Sequence, residues 1–158
     1  MKKSTIISCI IFVTVVLIGS GSYYMMTKMN ISKQVTSPPE PPKDAQTAAI
    51  YQSIHEQHEL LNKLVCYDQY KNWTPSSSLW TEHDAALKQI EEQFLQYTPA
   101  VEGALQKDFQ NIVSYTKQAR EERRATTLVE IHRIMHDLDI LLNGYQEKLW
   151  NATVYKRN

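Results

Sequence analysis

The chain has 158 residues with 17 basic and 17 acidic side chains and a formal net charge of +0 at pH 7. A charge balance of this kind gives no long-range field to draw in a polyanion, so neither a nucleic-acid-binding protein nor a charge-driven membrane binder is expected. Two cysteines, Cys9 and Cys66, are too few and too far apart for a disulfide framework.

Residues 4–27 carry no charge and follow Lys2 and Lys3 directly. Thr5, Ile6, Ile7, Ile10, Ile11, Phe12, Val13, Val15, Val16, Leu17 and Ile18 make the apolar body of this run. With Tyr23, Tyr24, Met25 and Met26 it reaches the roughly 20 residues that a helix needs to cross a bilayer. The two tyrosines at its far end suit the interface. The small residues Gly19, Ser20, Gly21 and Ser22 also fit a cleavable signal peptide ending there. Both readings send the rest of the chain out of the cytoplasm, as a single-pass protein of the cell membrane in the first and as a secreted one in the second. Cys9 lies inside the apolar run rather than after it, so it reads as a membrane-buried thiol and not as a lipid attachment site.

Residues 1–28 are thus an anchor or signal, and residues 29–43 are a linker held extended by Pro38, Pro39, Pro41 and Pro42. Residues 44–158 contain only Gly103, Gly144, Pro75 and Pro99 as breakers, which points to helices throughout. The fold class expected is all-α: an N-terminal transmembrane helix, then a small antiparallel bundle of three to four helices.

The first bundle helix is expected over residues 44–70, with Ile50, Ile54, Leu61, Leu64 and Val65 on one face. A turn at 72–78 leads into a second helix over 79–97, its face drawn by Trp80, His83, Leu87, Ile90, Phe94 and Tyr97. Thr98 and Pro99 read as N-cap and first residue of a third helix bearing Val101, Leu105, Phe109, Ile112 and Ala119. Its stripe vanishes over 117–127. There, Thr127 and Glu130 have the spacing of a capping box for a new helix, while one uninterrupted helix is the competing reading. Leu128, Ile131, Met135, Leu138, Leu142, Tyr145 and Leu149 then form a seam at alternating steps of three and four, interrupted only by Gly144. Such a seam serves a bundle core and also permits self-association.

Five histidines, all in the bundle, are the residues closest to chemistry. His55 and His58 are three apart and His132 and His136 four apart, and each spacing can bring two imidazoles to one metal ion. His55, His58, His83, His132, His136 and Asp139 are the residues such a site would use. Helical-wheel arithmetic opposes it, placing His132 roughly 110° and His136 roughly 150° from the seam and so facing out. His58 falls at the edge of its apolar face, His55 off it, and His83 alone among apolar neighbours. The expectation is therefore surface histidines with one core or boundary histidine, His83, and no metal and no cofactor. No glycine-rich phosphate loop, nucleophile elbow or cysteine pair motif occurs, so no catalysis is expected. Tyr67, Tyr70, Trp73 and Trp80 gather at one end of the bundle, where aromatics favour contacts with other proteins or close the end of the core. The reading that results is a membrane-tethered bundle acting on an envelope protein through protein contacts. The alternative is a bundle that binds a metal or small ligand.

Overall fold

The computed structural model describes residues 38–156. The apolar run at residues 5–18 and most of the linker lie outside them. Among the described residues all regular structure is helical, without strands, and no helix is long and apolar enough to cross a membrane.

Helix α1 spans Ala45–Val65. Asp44 caps it, its carboxylate accepting the Thr47 amide hydrogen at 2.7 Å, which satisfies one of the free donors of the first turn. The helix stops five residues before the end expected from periodicity. Cys66 is extended, and Tyr67 and Asp68 take left-handed backbone angles, φ 52° and 66°. Trp73 completes the stop: buried under the helix end, it donates its indole N–H to the Leu64 carbonyl at 3.1 Å, an acceptor that the helix itself leaves open. Trp80 packs edge-on against Trp73, and both are buried, closing this end of the core.

The second expected helix is divided into α2, Leu79–Glu82, and α3, Asp84–Tyr97, by His83 at φ −105°, ψ 6°. A 3-10 turn over Thr98–Ala100 contains Pro99, and α4 begins later than expected, spanning Gly103–Glu122. The polar stretch 117–122 is helical, held by i,i+4 pairs and by Arg120. This guanidinium reaches Asp84 at 2.9 Å and Glu91 at 2.7 Å on α3. Arg123 then turns left-handed, φ 49°, ψ 48°, and ends α4, so the single long helix is excluded.

Helix α5 spans Ala125–Asn143. It starts two residues before Thr127, and there is no capping box: Glu130 turns toward Arg133 instead, and the Thr127 hydroxyl is buried with no hydrogen-bond partner among the described residues. The two readings differ in sign. Thr127→Val should raise stability in urea by about 0.5–1 kcal/mol, since it removes an unpaired buried hydroxyl at constant shape. A capping hydroxyl would instead cost about 1 kcal/mol on removal.

The helices run antiparallel, as their cross-helix partners show. Arg120 meets Asp84 at one end of α3 and α4 while Phe94 meets Phe109 toward the other. His55 pairs with Asp139 and Asn62 with His132 between α1 and α5. Phe94, Phe109, Ile54, Leu61, Leu87, Ile90, Ile112, Leu128, Ile131, Met135 and Leu138 are sealed from solvent and form one core.

The expected last two turns of the seam are not helical. Gly144, at φ 77°, ends α5 in the left-handed conformation that glycine adopts at least cost, and the Tyr145 amide folds back on the Asp139 carbonyl. A side chain at Gly144 would also place its Cβ 3.1 Å from Pro39 of the linker. Residues 145–156 continue as an extended segment laid back over the bundle. Two buried carboxylates hold it by its backbone: Asp137 accepts the amides of Trp150 and Ala152 at 2.7 and 2.6 Å, and Asp108 those of Val154 and Tyr155 at 2.8 Å each.

Candidate functional site

Helix α5 has a neighbour on every side. From Leu128 to Leu142 only Val129, Glu130 and Arg133 escape full burial. The seam residues Leu128, Ile131, Met135, Leu138 and Leu142 face the core as expected. On the back of the helix, where the wheel turns His132 and His136 toward solvent, the segment 145–153 covers them. They are 2% and 6% exposed, and the outward placement is corrected. His58, placed at the edge of its face, is completely buried.

These side chains form one hydrogen-bonded set between α1, α5 and the covering segment. His58 Nδ1 lies 2.8 Å from Asp139 Oδ2, and His55 Nδ1 lies 3.0 Å from the same oxygen. Asn143 donates to Asp139 Oδ1 at 2.7 Å. On its other side, His58 Nε2 meets His136 Nδ1 at 3.3 Å, and His136 Nε2 meets the Lys148 carbonyl at 3.1 Å. Trp150 stacks on the His136 ring at 4.5 Å, and Tyr145 stands edge-on to both His58 and His136. Burial acts on the Asp139 carboxyl to raise its pKa, but the hydrogen bonds from His58, Asn143 and His55 outweigh it and keep the group ionised.

His132 stands beside this chain and behaves differently. Burial, with the neighbouring His58, His136 and Arg133, pulls its pKa down to about 4, so it is neutral at pH 7. Its Nε2–H donates to Asn62 Oδ1 at 2.7 Å, and Cys66 Sγ lies 3.7 Å from the same nitrogen. A Cys–His–Asn catalytic trio needs a thiolate, and an imidazole nitrogen free to take its proton. Here burial pushes the Cys66 thiol up, and the facing nitrogen already bears hydrogen. The three residues do not form an activated nucleophile.

His83, expected as the core histidine, is apart from the others. It sits between α2 and α3, partly exposed, 3.7 Å from Glu82 and near the Trp73 ring. Among the described residues no three His, Cys, Asp or Glu side chains converge on a point that a metal ion could occupy. The six metal candidates thus separate into a buried group (His58, His132, His136 and Asp139), a half-exposed His55 joined to it, and a detached His83.

Two surface clefts flank the buried group. The larger, about 740 Å³, lies between the end of α1, the back of α5 and the covering segment, with His132, Cys66 and Arg133 in its wall. Of the four non-glycine residues with left-handed backbone among those described, Tyr67, Asp68 and Asn151 line this one cleft. Tyr67 is 96% exposed at its rim and Trp150 is 46% exposed. The smaller cleft, about 320 Å³, is lined by Gln52, His55, Asp139, Asn143, Gly144 and Tyr145. The sequence pattern singles out the histidines and Asp139 but not Asn62 of α1, nor Tyr145 and Trp150, the last two of which depend on the fold-back. The available signal was Gly144, a C-cap residue followed by a segment too short for another bundle helix.

Comparison of the chain with models of protein families, with characterised proteins and with solved structures gives no match.

Proposed function

We propose that this protein is a binding module: a helical bundle tethered outside the cytoplasm through residues 5–18, which engages an envelope protein at the larger cleft and carries out no chemistry itself. The observation that carries this reading is the concentration of strained backbone around that cleft. Left-handed angles at non-glycine residues cost about 1–3 kcal/mol each and persist where the surroundings impose them, commonly at binding sites. Tyr67 and Asp68 lie consecutively on one rim and Asn151 on the other. The strain presents the Tyr67 ring to solvent, although tyrosine is a residue that binding surfaces bury.

A photo-crosslinking amino acid in place of Tyr67, in the full chain expressed in its own cells, tests this. A single, near-stoichiometric protein adduct in the membrane fraction is expected from position 67. None is expected from the same group at Leu95, which is 61% exposed on α3. Equal labelling at both positions, or none at 67, rejects the cleft as the binding surface.

A further inference from the structure

The hydrogen-bonded line Asp139, His58, His136, Lys148 carbonyl contains three contacts between groups that bear either a lone pair or a hydrogen. The two outer partners accept only: a carboxylate at one end, a carbonyl at the other. His58 must therefore carry hydrogen on Nδ1 to meet Asp139, and His136 must carry hydrogen on Nε2 to meet Lys148. Two neutral imidazoles have only those two hydrogens. His58 Nε2 and His136 Nδ1 would then confront each other, lone pair against lone pair, at 3.3 Å inside the protein.

A third hydrogen removes the conflict. We propose that His58 and His136 form a buried proton-binding site, in which one proton taken from solvent is held between His58 Nε2 and His136 Nδ1. The pair then bears a single positive charge, and the Asp139 carboxylate is its counter-ion. The groups around the pair agree with one charge. From α1, His55 faces Asp139; from α5, His132 is beside both rings; from the covering segment, Tyr145 stands against both. Arg133 is a permanent cation acting on His132, and Glu59 and Glu147 act with burial to push the Tyr145 phenol up. His132 is itself held neutral, in part by these two rings, so the cluster does not collect further protons. The proton has a way in: His55 and Asp139 both line the smaller cleft, and the His55 side chain is 44% exposed.

The site also bears on the larger cleft, whose wall includes Lys148 and Trp150. Loss of the shared proton leaves two hydrogens for three contacts, so one must break: Asp139 with His58, His58 with His136 or His136 with Lys148. The last of these, with the Trp150 ring stacked on His136, fixes the cleft wall. The shared proton follows from the hydrogen count alone, whatever the larger cleft binds under the proposed function.

Nitrogen NMR of the full chain, labelled with 15N-histidine and treated with EDTA, reads which ring nitrogens bear hydrogen. At pH 7 three of the four nitrogens of His58 and His136 should bear hydrogen, and the Lys148 and Trp150 amides should shift at the pH where the third is lost. Two hydrogens at pH 7 would overturn the proposal. So would nitrogens that, before EDTA treatment, are bound to a copurified metal instead of hydrogen. His136→Gln offers His58 Nε2 an uncharged amide donor, and His58 should then keep hydrogen on Nδ1 only. A doubly protonated His58 in that variant would show an ordinary ion pair with Asp139 and no sharing. If the variant does not fold, the wild-type hydrogen count decides alone.

Discussion

Asp137→Asn will lower the stability of the bundle by about 2–3 kcal/mol and free the segment that covers α5, because one oxygen that accepts a backbone N–H becomes an NH2 group facing that N–H. The carboxylate is completely buried and serves two amides, Trp150 at 2.7 Å and Ala152 at 2.6 Å. Bonds to an ionised acceptor are the stronger kind, and here removal of one also leaves a buried donor unsatisfied. The change is nearly isosteric, so no cavity contributes. Hydrogen exchange should show the amides of Trp150 and Ala152 losing protection by at least the factor that this free energy implies, while the most protected amides of α3 and α4 lose no more than that factor. Urea unfolding gives the free energy, and a variant as stable as the wild type with both amides still protected would show that the clamp does not hold the segment.

Phe109→Ala is expected to cost more, about 3–5 kcal/mol, as other large-to-small changes of sealed aromatics do. Phe109 is wholly buried on α4 and meets the equally buried Phe94 of α3 edge to face, with ring centroids 5.0 Å apart and an interplanar angle of 85°. A domain of this size has about 5–15 kcal/mol in all, so the loss takes a large part of it. The double variant with Phe94→Ala should lose less than the sum of the single variants by about 0.5–1.5 kcal/mol, the size of an edge-to-face ring interaction. Strict additivity in urea unfolding would show that the two rings do not support each other.

Much of the bundle was legible because burial in a helix repeats with the helix. Ile50, Ile54, Leu61, Leu64 and Val65 on α1, Leu87, Ile90 and Phe94 on α3, and the α5 seam as far as Leu142 all lie in the core as their spacing requires. The boundaries failed where a side chain or a backbone angle overrode periodicity: at Tyr67 and Asp68, at Arg123 and at Gly144. None of the three non-glycine positions carries a residue type that announces a left-handed turn, with Asp68 the nearest to doing so. Gly144 did announce its break, and Tyr145 and Leu149 continued the pattern past it only by coincidence.

The candidate site was half legible, for a related reason. Spacing found both histidine pairs, and α1 and α5 do bring them together. A helical wheel, however, measures direction from a seam and says nothing about what stands behind the helix. Asp137 and Asp108, which no spacing in the sequence marks out, accept backbone amides of the covering segment. Those amides belong to Trp150, Ala152, Val154 and Tyr155, which lie beyond Leu149, where the expected seam ends.

The covering segment also sets an order of events in time. Residues 145–155 leave the ribosome after all of α5, so the helices can pack before anything lies over the back of the last one. That back carries His132, His136 and Asp137 beside Ile140, so a bundle waiting for its cover presents polar side chains as well as an apolar one to solvent. A chain cut just after Gly144 lacks one wall of the larger cleft, and that cleft is the last part of the described fold to come into being.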